Sequence, residues 1–166
     1  MKIRYGVRYI DAVKLFTTEG KRERTIVINN QEIIDYKPEL TKEQKNAVSQ
    51  ISSSILEKKH ETFLLKGVTN SGKTEVYMRA AETALMKNLG VIILVPEIAL
   101  SYQIARVLKA RFGEEKVAVL HSKLTMGERL SEWKRIRKKT ARICVGARTA
   151  VFAPMDDIGL IVMDEE

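Results

Sequence analysis

Residues Gly67-Val68-Thr69-Asn70-Ser71-Gly72-Lys73-Thr74 repeat the spacing G-x-x-x-x-G-K-[ST] at every fixed position. Glycines at such spacing let the backbone curl tightly, so that successive amides and the start of the next helix aim at phosphate oxygens. Lys73 is expected to reach the β- and γ-phosphates, and the Thr74 hydroxyl to bind Mg²⁺. A loop of this kind needs an acid at the end of a second buried strand. Leu160-Ile-Val-Met163 followed by Asp164-Glu165-Glu166 supplies it, 91 residues after Lys73. Asp164 is the expected metal-side carboxylate, and Glu165 stands where it would polarise a water attacking the γ-phosphate. Lys73, Asp164 and Glu165 are thus the candidate catalytic set, residues 67–74 the nucleotide cradle, and Thr74 with Asp164 the metal pair. Gln44 has two readings: it bonds the adenine edge, or it is the partner of Thr41 in a helix cap.

These residues have to be positioned, and the surrounding pattern indicates how. Thr41-Lys-Glu-Gln44 and Thr125-Met-Gly-Glu128 have the form of capping boxes and predict helices to about Lys58 and Lys139. Further helices are predicted over Thr74–Lys87 and Ala99–Phe112, the latter closed by Gly113, and a helical turn over Thr149–Phe152. Short apolar strands are expected at Thr62–Lys66, Val91–Val95, Val117–Leu120, Arg142–Val145 and Leu160–Met163. The β-branched run Val91-Ile-Ile-Leu-Val95 fits a strand buried on both faces. Such alternation predicts an α/β fold, a parallel sheet with helices on both faces. The first 37 residues differ. Arg24–Ile28 and Gln31–Ile34 read as two short strands around Asn29-Asn30, and Lys37-Pro38 then punctuates the chain. Residues 1–37 are read as a β-containing appendage or the end of a preceding domain, and residues 38–166 as the nucleotide-binding unit.

Composition narrows the class. The 166 residues carry 29 Lys+Arg against 21 Asp+Glu, a net charge of +8, with 45% hydrophobic residues. That suits a globular domain with its own core. No apolar run approaches the roughly 18 residues of a membrane span, and no secretory leader is visible, so a cytoplasmic protein without membrane partners is expected. The one cysteine, Cys144, rules out an internal disulfide framework and reads as core. Charge is uneven: residues 123–148 hold nine basic side chains against Glu128 and Glu132, whereas residues 149–166 hold five acids and no base. The basic helix face with Lys134, Arg135, Lys138 and Lys139 is either solvated surface or a track for a polyanion. His121, after an apolar strand, reads as a half-buried structural histidine, His60 as solvated, and Trp133 as a core anchor.

Taken together, the two nucleotide motifs resemble the first RecA-like lobe of superfamily 2 helicases. Three further stretches are more specific: Val95-Pro-Glu-Ile-Ala-Leu100, Val117-Ala-Val-Leu-His-Ser122 through Trp133, and Gly146-Ala-Arg-Thr-Ala-Val-Phe-Ala-Pro154. In that order they are similar to the bacterial replication-restart helicases of the primosomal N′ family, over about residues 38–166. The resemblance implies an ATP- and Mg²⁺-dependent 3′→5′ DNA translocase acting at single-stranded and branched forks, in a bacterial cytoplasm and at the nucleoid. It also implies primosome and single-strand-binding proteins as partners, and Gln103, Ser122, Lys123, Arg148 and Thr149 as DNA contacts. A competing reading of Arg148 and Thr149 is an internal ion pair and a helix cap. Asn70 departs from a usual glycine, and Leu100-Ser-Tyr-Gln103 from a usual Leu-Thr-Pro-Gln. The family pattern continues past the acidic motif with a histidine, a second lobe and a zinc-binding cysteine module, so this chain is expected to be a lobe cut just after its acidic motif. Other superfamily 2 translocases, and a phosphate-loop switch or kinase, remain the alternative classes.

Overall fold

The computed structural model describes residues 38–67 and 71–164. The expectations for residues 1–37, for Val68, Thr69 and Asn70, and for Glu165 lie outside the described residues. Four strands, β1 (Gly90–Leu94), β2 (Val117–Leu120), β3 (Ile143–Gly146) and β4 (Ile158–Met163), form one sheet in the order β2-β3-β1-β4. Every pairing is parallel. Four helices accompany them: α1 (Lys42–Leu56), α2 (Lys73–Met86), α3 (Ile98–Phe112) and α4 (Met126–Arg137). Short 3₁₀ turns cover Glu114–Lys116 and Arg148–Phe152.

Strand alternation sorts the core into two layers. Val91, Ile93, Val117, Val119, Ile143 and Val145 face α2 and α3 through Met78, Ala81, Ile104 and Leu108. Ile92, Ala118, Leu120 and Cys144 face the other way, onto Leu124, Ile136 and Trp133 of the α4 side and Ala150 of the 3₁₀ turn. Both faces of β1, β2 and β3 are therefore covered, as the continuous apolar strands require, and complete burial of a chain such as Ile92 or Ile93 stabilises by about 1.5–3 kcal/mol. Both capping boxes form: Thr41 with Gln44, and Thr125 with Glu128. Each offsets orphan amides at a helix start, which is why these two boundaries were readable.

Parallel sheets usually leave their edges covered, and β2 is closed by side chains. The buried Glu132 carboxylate of α4 accepts from the Val119 amide at 3.1 Å and from Arg135 Nη1 at 2.8 and 3.0 Å. Arg135 Nη2 also donates to the carbonyls of Glu114, Glu115 and Val117. Arg135 is thus a structural clamp, which removes it from the basic face read in the sequence. Lys139 is ion-paired with Asp157.

One predicted strand is absent. Thr62–Lys66 carries no ladder, and Leu64 is 93% exposed. Strand propensity measures fit to a half-buried pleated surface. No described strand lies beside this segment, so its apolar side chains have nothing to pair with. The open edge of β4 shows the same condition, with Ile161 and Met163 exposed.

Candidate functional site

Because all four strands are parallel, their carboxyl ends lie along one edge of the sheet, where ligands of open α/β sheets bind. α2 begins at that site. Its N-cap, Gly72, has φ +78°, a left-handed conformation that glycine adopts without strain, and a Cβ there would meet Gln44 Nε2. Lys73 and Thr74 are the first two residues of the helix, so their amides and the helix dipole face the loop. Lys73 Nζ donates to Gly67 O at 2.8 Å and so closes the loop from its first residue to its last turn. Ser71 Oγ is buried, with no hydrogen-bond partner among the described residues. A buried hydroxyl without a partner, beside a helix start and an ammonium, is what a phosphate oxygen would satisfy. The donor set therefore fits a nucleotide phosphate chain.

Of the two readings of Gln44, the cap is the one formed, and both ends of its amide are engaged within the protein rather than facing a base. Its Oε1 accepts from the Thr41 amide at 2.8 Å, completing the cap, while its Nε2 donates to Ser71 O at 2.9 Å. Gln44 therefore fastens α1 to the phosphate loop.

Asp164 follows β4. Its amide donates to Leu94 O at 2.8 Å, so the sheet ladder itself carries the carboxylate to the carboxyl edge. Tyr77 of α2, 5% exposed, donates its hydroxyl to Asp164 Oδ2 at 3.0 Å. Tyr77 stands three residues after Thr74, about one helical turn away. This bond brings the acid of the fourth strand to the helix that starts with Lys73 and Thr74. Thr74 and Asp164 are oxygen donors of the kind Mg²⁺ takes, and one or two such ligands with phosphate oxygens meet its usual demand. Tyr77 went unnoticed in the sequence. Its signal was the i, i+4 spacing from Lys73, which puts both on one face of α2. Behind the site, Glu75 joins Arg111 of α3 at 2.8 Å and Arg79 at 2.7 Å, with Arg111 almost fully buried.

The remaining candidates cluster along the same edge. Ser122 and Lys123 follow β2, and Arg148 and Thr149 follow β3; all four are exposed. Gln103 sits within α3, inside the helix predicted over Ala99–Phe112, and is also exposed. Among the described residues Arg148 makes no ion pair, and the cap of its 3₁₀ turn is Ala147 rather than Thr149, against the competing internal reading. Gly146 admits the close approach of β2: a Cβ there would collide with Leu120 O. His121 is 2% exposed, more deeply buried than expected, and its Nε2 lies 2.7 Å from Tyr102 Oη. Burial pushes the His121 pKa down and, with the nearby Glu128 charge, pushes the Tyr102 phenol up. Cys144 is sealed in β3, and burial raises its thiol pKa far above the ordinary range. Among the described residues no group of three His, Cys, Asp or Glu is placed to hold a metal, and no helix is long and apolar enough to cross a membrane.

Comparison with known proteins agrees with this geometry. The DEAD/DEAH box helicase family model matches residues 41–166. Replication restart protein PriA of Bacillus subtilis is 47% identical over 127 residues, 76% of this chain and 16% of that protein. PriA of Treponema pallidum is 46% identical over 127 residues, 76% of this chain and 19% of that protein. PriA of Chlamydia pneumoniae is 44% identical over 128 residues, 77% of this chain and 17% of that protein. The chain spans less than a fifth of the length of these curated relatives. Its parallel sheet with helices on both faces, its phosphate loop and the acid after β4 place it with them: the chain belongs to the DEAD/DEAH box helicase family and is similar to one segment of the PriA proteins.

Proposed function

We propose that this chain is the ATP-binding first lobe of a DNA-helicase motor that restarts stalled replication forks by 3′→5′ translocation. The observation that carries the reading is the Tyr77–Asp164 bond, which joins the acid of β4 to the phosphate-loop helix on the edge where Lys123 and Arg148 stand exposed. Gly67–Gly72, the α2 amides and Lys73 hold the phosphates, and Gln44 braces the loop from α1. Val68, Thr69 and Asn70 complete the cradle. Thr74 and Asp164 would hold Mg²⁺, which would supply positive charge against the nucleotide phosphates. Glu165 accepts the proton of the attacking water.

DNA lies across the carboxyl edge, with Gln103, Ser122, Lys123, Arg148 and Thr149 on its sugar–phosphate backbone. Contacts of that kind carry no sequence information, as a motor that tracks along one strand requires. Hydrolysis in such motors needs arginines of a second lobe, and the cysteines for a zinc module are not among these residues. The chain alone therefore binds nucleotide weakly, turns over little ATP and unwinds nothing. Primosome and single-strand-binding proteins would meet the longer protein at bacterial forks in the cytoplasm. The experiment is DNA-stimulated ATP hydrolysis by residues 1–166 beside a chain that includes a second lobe. Turnover only in the longer chain supports the proposal, and equal turnover in both overturns it.

A further inference from the structure

Two of the segments placed on DNA are tied together by a side-chain pair that no nucleotide chemistry requires. Tyr102 lies in α3 immediately before Gln103, and His121 lies immediately before Ser122 and Lys123. Their polar atoms are 2.7 Å apart, and their rings meet edge to face with centroids 5.0 Å apart at 66°. The pair lies near the start of α3, where the buried Ser101 donates its hydroxyl to Ile98 O. The N-cap of α3, Glu97, makes no side-chain capping bond, and Pro96, Glu97 and Ala99 are exposed. A purely apolar pair would pack the same gap with fewer demands. His121 Nδ1 is buried without a partner among the described residues, a cost that an apolar side chain at this position would not carry.

We propose that Tyr102 and His121 form a latch that fixes the separation between Gln103 on α3 and Ser122–Lys123 after β2, so that both engage successive phosphates of one DNA strand. The proposal rests on the DNA reading above. Tyr102 and His121 are positioning residues in it: neither touches DNA. With the latch closed, the two segments present their contacts as one rigid surface, and binding then requires no ordering of either. With the latch open, α3 and the β2 loop move independently and one of the two contacts is lost at a time.

The test measures the affinity of residues 1–166 for labelled oligothymidylate over a salt series, with Tyr102→Phe as the principal variant. Phenylalanine keeps the ring contact and removes the hydroxyl. The latch predicts affinity lowered about fivefold to tenfold, a salt slope smaller by about 0.7 (one phosphate contact on a single strand), and unchanged nucleotide affinity. It also predicts that Tyr102→Phe costs less in a Lys123→Ala background, because the contact it positions is already gone. His121→Gln keeps a polar group facing the Tyr102 hydroxyl and retains most of the affinity, whereas His121→Leu does not. Lys123→Ala and Arg148→Ala separate the two claims. If they weaken binding while Tyr102→Phe matches the wild type, the latch is overturned and the DNA surface stands. If neither alanine variant weakens binding, the DNA surface is overturned and the latch with it. Equal behaviour of His121→Gln and His121→Leu also overturns the latch.

Discussion

Replacing Glu132 by alanine tests whether the sheet depends on a buried carboxylate at its β2 edge. Glu132 is 6% exposed, and three interactions end on it: the Val119 amide at 3.1 Å and Arg135 Nη1 at 2.8 and 3.0 Å. Among the described residues β2 pairs only with β3, so the Val119 N–H has no ladder partner there on its outer side. Truncation leaves that donor buried and unpaired, a cost of about 1–3 kcal/mol. Loss of the charge-assisted bond to Arg135 adds about 1.5–3 kcal/mol. Arg135 keeps its three carbonyl acceptors, and the carboxylate's own desolvation is relieved, so the sum is moderated. The net expectation for Glu132→Ala is about 3 kcal/mol of lost stability. Glu132→Gln retains an acceptor for Val119 and should lose about 1–2 kcal/mol. Urea unfolding followed by circular dichroism measures both, and at a slope of about 1.5–2 kcal/mol/M the alanine variant unfolds about 1.5–2 M earlier. Native-state exchange of the Val119 amide should accelerate in the alanine variant and much less in the glutamine variant. A loss below about 1 kcal/mol for alanine, or equal losses for the two variants, refutes the edge-capping argument.

Three further outcomes follow from the geometry. Tyr77→Phe should raise the Mg²⁺ concentration needed for nucleotide binding about tenfold and weaken Mn²⁺ binding read by electron paramagnetic resonance, because it releases the Asp164 carboxylate; an unchanged metal dependence counts against Tyr77 as its positioner. Cys144 should resist an aromatic disulfide reagent at pH 8 until the chain unfolds, since burial raises its pKa and blocks access; rapid native labelling would place it outside the core. The His121 pKa is depressed by burial, assisted by Arg129 and Lys123 and opposed by Glu128, with the Tyr102 hydroxyl on its ring nitrogen. The unfolded histidine then binds a proton that the folded one refuses. Its contribution is intact above the unfolded value near 6.5 and is lost as pH falls below it, by up to about 1.4 kcal/mol per pH unit. Urea midpoints between pH 7.5 and 5.5 check this, and His121→Gln should flatten the curve.

Most of the frame was legible because its signals are local. Both capping boxes close within three residues, and Gly113 ends α3 with a positive φ of 97°. The run from Val91 needed no partner information to be read as a buried strand. Thr62–Lys66 failed for the opposite reason: a strand exists only if another lies beside it, and five residues cannot report that. The same limit hid Tyr77, Glu132 and Arg135, whose roles depend on groups 87, 13 and about 20 residues away. Arg135 reads as one more base in a charged helix until its carbonyl partners are known. Gln44 was underestimated because a cap and a loop brace use different ends of one amide.

The central claim is that one sheet edge serves two polyanions at separate places, nucleotide phosphates at the α2 start and DNA phosphates at Lys123 and Arg148. Its most direct test is titration of labelled oligothymidylate into residues 1–166 over a salt series, with and without saturating Mg²⁺ and a slowly hydrolysed ATP analogue. Neutralisation of phosphates by these two side chains predicts a slope of log affinity on log salt of about −1.4 or steeper, retained when nucleotide is bound. Affinity independent of salt, or DNA displaced by the nucleotide analogue, would contradict it.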